Sequence, residues 1–386
     1  MNIRNWRRAY LRLHPKAALK KLEQQFIYHI TNDELYEIDE KAVGFFLRCD
    51  GTARGEELSS ESDFVEYCLE EELLEALPDP NHVDVSVNMN VAPSLRYLEL
   101  QLTNKCNLRC AHCYLGSPGS GEMILSDAVN ITQAFADMGG IRLLISGGEP
   151  LLYKNLKEYI ARTQNTGVRR VLFSNGTLID SGNISWLNVD EIQFSLDGWR
   201  KGHEALRGSG TFEKTIAGIR MACQAGTAVS VSTMIHRENL DEFERMKDFI
   251  RDIGAVEWGV DVMSVSGALE AHRELVVSNK EAVPFLDYAF GGGYHGASEG
   301  YACGRHLMTI MPDCRAVKCG FYRDKPIGDA RIGLKECWLK MEHIPLSRLE
   351  CSSCSALDEC RGGCRFRAPD PLAPDPVMCC YYGISG

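Results

Sequence analysis

Residues 106–113 read Cys106-Asn107-Leu108-Arg109-Cys110-Ala111-His112-Cys113, and this stretch decides how the rest of the chain is interpreted. Its three cysteines have the spacing C-x3-C-x2-C and follow a strand-like run at residues 97–102. Thiolates are the usual protein ligands of iron–sulfur clusters, so three of them predict a 4Fe-4S cluster whose fourth iron is left for a small molecule. The alternative is a structural zinc site, which normally has four ligands and fits this spacing poorly.

Composition narrows the class of protein. The chain has 386 residues, of which 45% are hydrophobic and 25% charged, as in an ordinary globular protein. Its net charge of −11 argues against a general nucleic-acid binder, which needs a basic face. We find no apolar run long enough for a membrane span and no secretory signal, and we therefore expect a cytoplasmic protein. Its 16 cysteines are then more often metal ligands than disulfides.

Residues 1–92 are predicted to form a separate unit. Residues 25–30 and 35–38 have a hairpin pattern around a polar turn, and Asp39 is a helix cap before an amphipathic segment. A hairpin followed by short helices is a winged-helix layout, and residues 28–74 resemble the PqqD-like domain. The resemblance implies that this unit binds the leader of a ribosomally made precursor peptide as an added strand. The alternatives are a DNA-binding winged helix, which the acidic charge disfavours, and a packing domain without a ligand.

Residues 93–290 alternate strands and helices. The predicted strands are residues 97–102, 141–146, 169–174, 191–196, 228–234 and 257–262. The predicted helices are residues 128–138, 155–163, 184–187, 211–224 and 240–253. This alternation predicts a parallel sheet with right-handed crossovers, with the chemistry at the C-terminal ends of the strands.

Short motifs follow these strands. Ser146-Gly147-Gly148-Glu149-Pro150 follows the second strand, Ser174-Asn175-Gly176-Thr177 the third, and Ser195-Leu196-Asp197-Gly198 the fourth. Each is weak alone, because N-G and D-G are common turn dipeptides. In this order behind C-x3-C-x2-C they resemble the radical S-adenosylmethionine (SAM) family, whose fold is α/β, with a partial (β/α)6 TIM-like barrel.

The resemblance implies a site for SAM. Cys106, Cys110 and Cys113 would hold the catalytic 4Fe-4S cluster, and its open iron would bind SAM. The residues implied to contact SAM are His112, Gly147, Gly148, Glu149, Pro150, Ser174, Asn175, Ser195, Asp197 and Arg207. Arg207 is a plausible clamp for a carboxylate, because a guanidinium can pair with it bidentately. The alternative for Arg207 is a surface ion pair.

Residues 291–386 contain a second cysteine pattern. The run Cys351-x2-Cys354-x5-Cys360-x3-Cys364 resembles the SPASM domain, which carries two auxiliary 4Fe-4S clusters. The resemblance implies a first auxiliary cluster on Cys303, Cys319 and Cys364. Cys314, which stands where the family usually has glycine, or Cys337 would be its fourth ligand; if neither binds, the cluster would have an open iron that could bind substrate. The second would use Cys351, Cys354, Cys360 and either Cys379 or Cys380, and the alternative to both clusters is a zinc-ribbon fold.

The order of the three parts resembles PqqE-type maturases of ribosomally made peptides. The implied enzyme cleaves SAM reductively to a 5′-deoxyadenosyl radical, which takes hydrogen from a peptide so that a thioether or carbon–carbon crosslink forms. Flavodoxin or ferredoxin would supply electrons. One alternative modifies haem or a tungsten-enzyme cofactor, with the N-terminal unit docking a small partner protein. Another is an iron–sulfur redox-sensing winged-helix regulator. Asp261, Asp324 and His306 are acid–base candidates, and the sequence names neither the substrate nor the general base.

Overall fold

A computed structural model describes residues 3–292, 295, 300–304 and 306–384. After a 3-10 turn (Ile3–Arg8), the N-terminal strands are β1 (Tyr10–Leu13), β2 (Ala17–Lys21), β3 (Gln25–His29), β4 (Glu34–Glu37), β5 (Asp50–Arg54), β6 (Leu74–Leu77) and β7 (Val87–Met89). The helices here are α1 (Glu40–Arg48), α2 (Gly55–Leu58) and α3 (Ser62–Glu70). They pack against two sheets with strand orders β5-β1-β6 and β4-β3-β2-β7.

The predicted hairpin is the antiparallel pair β3–β4, and the predicted cap is present. The Asp39 carboxylate accepts a hydrogen bond of 2.7 Å from the Ala42 amide at the start of α1. Phe45, Phe46 and Val65 form the core between the helices and the sheets. The prediction missed β1, β2, β5 and β6, so this unit has more strands than a single hairpin.

The central sheet contains the six predicted parallel strands in chain order. They are β8 (Tyr97–Gln101), β9 (Arg142–Ser146), β10 (Arg169–Ser174), β11 (Glu191–Ser195), β12 (Ala228–Ile235) and β13 (Glu257–Val262). The helices between them are α4 (Leu125–Asp137), α5 (Leu156–Arg162), α6 (Ser181–Ile184), α7 (Arg200–Arg207), α8 (Phe212–Gln224) and α9 (Phe243–Asp252). The α/β prediction is confirmed.

The C-terminal third adds three strands to the same sheet: β14 (Leu307–Ile310), β15 (Arg315–Val317) and β16 (Gly328–Asp329). β14 lies parallel to β8, and the full order is β13-β12-β11-β10-β9-β8-β14-β15-β16. The remaining helices are α10 (Asn279–Ala282), α11 (Leu334–Lys340), α12 (Leu357–Cys360) and α13 (Pro376–Tyr381). Further 3-10 turns are Pro150–Leu152, Gly267–Ala271, Arg273–Leu275, Val283–Tyr288 and Leu346–Arg348. Within the described ranges, no helix has the length and apolar character needed to cross a membrane.

The side chains of β8 alternate between an apolar and a polar face of the sheet. Leu98 and Leu100 are fully buried in the main apolar core with Phe135 of α4. Because successive strand residues point to opposite faces, Glu99 and Gln101 face the other way. The face of β8 opposite the main apolar core therefore carries the polar side chains Glu99 and Gln101.

The N-terminal unit contacts the strand ends opposite the cysteine loop. Asp33, in the β3–β4 turn, accepts a hydrogen bond of 2.6 Å from Nε of Arg142, the first residue of β9, and lies 2.9 Å from Nε2 of His295. Arg169, the first residue of β10, donates to the carbonyl of Thr31 at 2.6 Å. The hairpin tip is thus bound to the N-terminal ends of the parallel strands through charged groups.

Candidate functional site

The loop between β8 and α4 carries Cys106, Cys110 and Cys113, and all three line a cavity of about 200 Å³ at the C-terminal ends of the strands. Burial raises the pKa of Cys106 to about 11. Burial also raises the pKa of Cys110, although Arg207, whose Nη1 lies 3.9 Å from the Cys110 sulfur, opposes this. Thiolates are the metal-binding form of cysteine, and a nearby cation stabilises them. This donor set fits a cluster held by three thiolates.

Most residues predicted to hold SAM line the same cavity. Besides the three cysteines these are His112, Gly147, Gly148, Ser174, Asn175, Ser195 and Arg207. Glu149, Pro150 and Asp197 are buried and do not line this cavity. The structure therefore does not place these three residues in direct contact with a ligand bound there. Within the described part of the chain, no three His, Cys, Asp or Glu side chains converge on a single metal ion.

Asp197 positions Arg207. Its Oδ2 accepts a hydrogen bond of 2.5 Å from Nε of Arg207, and its Oδ1 accepts one of 2.7 Å from the Met234 amide. Burial alone would raise the pKa of Asp197, but the charge of Arg207, together with His112 and the hydrogen bond from the Met234 amide, outweighs this and lowers it to about 2. The two side chains are only 1% and 10% exposed, so the surface ion pair considered for Arg207 is wrong. The guanidinium is fixed beside the cysteines, where it can bind a carboxylate.

Glu149 joins two of the loops that form the wall. It accepts hydrogen bonds from the Ser174 hydroxyl at 3.0 Å and the Asn175 amide at 2.9 Å. Burial raises the pKa of Glu149 to about 7, partly offset by these hydrogen bonds. Its carboxylate therefore orients Ser174 and Asn175, which do face the cavity.

The two glycines after β9 allow close contact with the cysteine loop. A methyl group on Gly147, whose φ is +149°, would lie 2.4 Å from the Thr103 carbonyl oxygen. One on Gly148 would lie 2.3 Å from the Lys105 carbonyl oxygen. No side chain fits at either position without moving the backbone that leads into Cys106.

His112 lines the cavity, and its Nδ1 is buried without a hydrogen-bond partner in the described structure. Burial lowers the pKa of His112 to about 4, so the ring is neutral near pH 7. A neutral imidazole with one open nitrogen can stack on a base and hydrogen-bond to it.

The sequence interpretation missed Glu99, which also lines the cavity. Its carboxylate accepts hydrogen bonds from Ser146 at 2.7 Å, Thr309 at 2.7 Å and Gln101 at 3.0 Å. The signal was present, because Tyr97, Glu99 and Gln101 alternate with leucines and so share the inner face of β8. Glu99 connects the end of β9 to β14 of the C-terminal third.

Cys303, Cys319 and Cys364 form a second group of thiols. The side chains of Cys303 and Cys364 are hydrogen-bonded to each other, and Cys319 is close enough to interact with both. Burial raises the pKa of Cys319 to about 11. The structure therefore brings together three of the residues predicted for the first auxiliary cluster.

Cys314 does not join this group, which corrects its predicted place as a ligand. Its sulfur is buried and lies 3.8 Å from Oδ2 of Asp127 on α4, and its charged neighbours are Asp127, Arg331 and Asp329. Its φ of +67° is the left-handed conformation that favours glycine, which is the residue the family has here. Cys337, the other candidate, is buried in the main apolar core.

Cys351, Cys354, Cys360 and Cys379 form a third group and line one almost wholly apolar cavity. Cys380 is not among its lining residues. The Asp375 carboxylate caps α13, which carries Cys379, and also accepts a hydrogen bond of 2.8 Å from the Cys364 amide. Four thiols around one cavity fit a cluster with complete protein ligation.

The family model described as the Radical SAM superfamily matches residues 100–250. Residues 100–250 are therefore a radical SAM domain, a fold that binds SAM and a 4Fe-4S cluster, and the chain is an enzyme. It is therefore not the iron–sulfur redox-sensing regulator that was considered as an alternative.

Among similar proteins, the AdoMet-dependent heme synthase of Nitratidesulfovibrio vulgaris is 26% identical over 345 residues, covering 75% of this chain and 93% of the synthase. The sporulation killing factor maturation protein SkfB of Bacillus subtilis is 30% identical over 54% of this chain and 52% of SkfB. Streptococcus suis SuiB, crystallised with S-adenosylmethionine and with its precursor peptide SuiA, has the same fold. Its TM-score is 0.68 at 16% identity, over 95% of this chain and 99% of SuiB in the SAM complex.

Proposed function

We propose that this enzyme is a maturase that crosslinks a ribosomally made peptide. Residues 1–92 would recognise the peptide, residues 93–290 would carry the SAM site, and residues 291–386 would carry two auxiliary clusters. When bound at Cys106, Cys110 and Cys113, the cluster and SAM would supply a 5′-deoxyadenosyl radical that takes one hydrogen atom from an unactivated carbon. Formation of the crosslink would then release one proton and pass one electron to an auxiliary cluster. The observation that carries the proposal is the combination of this cavity with a separate N-terminal unit whose sheet has an open edge.

The chain's own residues would bind and orient SAM. Arg207, held by Asp197, would pair with its carboxylate, and the backbone at Gly147 and Gly148 would approach its amino group. Ser174, Asn175 and Ser195 offer hydroxyl and amide groups to the ribose side of the cavity. His112 would contact the adenine, with its open Nδ1 available for a hydrogen bond. Glu149 and Asp197 would act only through these neighbours.

The thiol groups support three 4Fe-4S clusters in all. We assign the first auxiliary cluster to Cys303, Cys319 and Cys364 and the second to Cys351, Cys354, Cys360 and Cys379. A flavodoxin or ferredoxin would donate electrons. The reduction potentials of protein iron–sulfur clusters span roughly −700 to +450 mV, so electron transfer among three such centres is energetically open.

The leader would add to the edge of β4. In the described part of the chain β4 pairs only with β3. The Ile38 amide bonds to the Gln25 carbonyl, and antiparallel pairing alternates, so the amides of Leu35 and Glu37 point away from β3. These groups form the unpaired edge that an extended peptide recognises.

The surroundings of β4 indicate the kind of leader. A groove lined by Phe45, Phe64 and Leu58 opens at the end of β4 between α1 and α3. Exposed Glu34 and Glu37 flank the strand. A leader with an apolar residue to enter the groove and basic residues beside it would match this chemistry.

The test uses peptides displayed on their own mRNA and selected against the reconstituted enzyme. Selected peptides are then incubated anaerobically with SAM and dithionite, and mass spectrometry should find a product lighter by two hydrogen atoms. Glu37→Pro removes one outward amide while leaving the β3–β4 hydrogen bonds intact, and should abolish selection. Glu37→Ala is the matched control and should retain it. Failure to select any peptide, or equal selection by both variants, contradicts leader binding at β4.

A second candidate is the modification of a haem precursor, because the heme synthase matches over 93% of its own length. The discriminating assay offers an iron porphyrin in place of the peptide. Conversion of the porphyrin, with no change in any peptide, would favour this alternative.

A further inference from the structure

Arg365, the residue after Cys364, is a buried cation that forms no ion pair with any described carboxylate. It is 2% exposed. Its Nη1 donates to the carbonyls of Ala373 at 2.7 Å and Pro371 at 3.3 Å. Its Nε and Nη2 are buried and have no hydrogen-bond partner among the described residues. Arg367, two residues further on, differs because it is paired with Asp375 and Asp261.

The free side of Arg365 lies next to the third thiol group. A methyl group built on Gly362 would be 3.2 Å from Nη2 of Arg365, so the guanidinium packs directly against this glycine. Gly362 lines the cavity of Cys351, Cys354, Cys360 and Cys379, and its amide donates to the Cys360 sulfur at 3.3 Å. Only one glycine therefore separates the cation from the four-thiol cavity.

A guanidinium stays charged in proteins. A buried charge is strongly unfavourable unless an opposite charge or hydrogen bonds compensate it. The carbonyl oxygens of Ala373 and Pro371 accept hydrogen bonds from Nη1. The positive charge still has no negative partner among the described residues, and Nε and Nη2 have no acceptor there. An anion in the neighbouring cavity would complete the arrangement, and a cluster held by four thiolates is such an anion.

We propose that Arg365 is the counter-charge of the second auxiliary cluster and raises its reduction potential. This inference rests on the proposed function, because it requires a cluster on Cys351, Cys354, Cys360 and Cys379. The negative charge of that cluster grows by one on reduction, so a nearby cation stabilises the reduced form more than the oxidised form. Net charge and hydrogen bonds to sulfur are recognised determinants of such potentials. Arg365 is a positioning and electrostatic residue, and it touches neither SAM nor substrate.

The experiment is potentiometric EPR of the anaerobically reconstituted chain with Cys106, Cys110 and Cys113 changed to alanine, so that only auxiliary signals remain. The signal lost in an added Cys354→Ala belongs to the second auxiliary cluster. Arg365→Gln should keep iron and sulfide content and lower the midpoint potential of that signal. We expect at least a tenfold change in the reduction equilibrium, which is about 59 mV for one electron. Arg365→Lys retains the charge and should shift the potential less. Arg348→Gln removes an exposed, ion-paired arginine near Cys351 and should shift nothing.

An unchanged potential in Arg365→Gln, with the signal present, overturns the inference and leaves the proposed function standing. Loss of the second auxiliary cluster from both Arg365→Gln and Arg365→Lys would mean that Arg365 is needed for the folded structure of the site, and this result also overturns the inference. Absence of the signal from the chain with intact auxiliary cysteines contradicts the proposed function itself.

Discussion

Asp33→Asn should weaken the contact between the N-terminal hairpin and the parallel strands. Asp33 is the tip of the hairpin and pairs with Arg142, and their side chains are 10% and 16% exposed. Burial raises the pKa of Asp33, but hydrogen bonds from His295 and Arg142 outweigh this and hold it well below its usual value. The carboxylate is therefore ionised in the folded chain at any ordinary pH.

The free-energy cost of this substitution can be worked out from the burial of the Asp33–Arg142 ion pair. Removing one partner of such a pair costs about 3–5 kcal/mol, because the other charge stays buried. Glu257 lies 3.4 Å from Arg142 and would still compensate part of its charge, which favours the lower end. About 3 kcal/mol corresponds to roughly a hundredfold increase in the undocked population, at 1.4 kcal/mol per factor of ten.

Hydrogen exchange of the reconstituted protein measures this population. Exchange of amides protected by local opening rises in proportion to the open fraction, so amides at the hairpin and at residues 141–142 should exchange about a hundredfold faster in Asp33→Asn. Glu72→Gln is the control, because its exposed pair with Lys16 lies in the same unit but away from the contact. Unchanged protection in Asp33→Asn, or an equal effect in the control, would refute the reasoning.

Three further predictions concern stability and the SAM site. Burial lowers the pKa of Lys20 to about 7 from 10.5. The unfolded chain then binds more protons between these pH values, so the unfolding free energy should rise with pH across this window. Lys20→Met should remove that slope in urea titrations, and a persistent slope would contradict the assignment. Arg207→Gln should weaken SAM binding about ten- to a hundredfold in equilibrium dialysis, because it removes a charged hydrogen-bond donor; unchanged affinity would exclude the clamp. Gly148→Ala should reduce the iron bound at the cysteine loop, since its methyl would meet the Lys105 carbonyl, whereas Gly44→Ala has open space and should bind iron normally.

The sequence predicted the central sheet well, because its strands are apolar runs between turn residues. Two helices of the central domain differed from the prediction. α7 was missed because its sequence, Arg-Lys-Gly-His-Glu-Ala-Leu-Arg, contains only two apolar residues, too few to show a helical pattern. α6 begins at Ser181, earlier than expected, because Asp180 caps it through the amides of Gly182 and Asn183.

The sequence predicted those parts of the site whose residues lie close together along the chain. The grouping of Cys351, Cys354 and Cys360 follows from their spacing, but the fate of Cys314 depends on a contact with Asp127 of a distant helix. The choice between Cys379 and Cys380 depends on which face of α13 meets the cavity, and adjacent cysteines carry no such information. The pairing of β14 with β8 links segments about 200 residues apart and has no local signature.

The central claim is that Cys106, Cys110 and Cys113 together hold the cluster that cleaves SAM. Its most direct test is 5′-deoxyadenosine formation by the anaerobically reconstituted, dithionite-reduced protein, measured beside Cys110→Ala. We expect product from the wild type and none from Cys110→Ala, which should still retain the iron of the two proposed auxiliary clusters, about eight of roughly twelve atoms. Equal formation by the variant, or none by a fully loaded wild type, would contradict it.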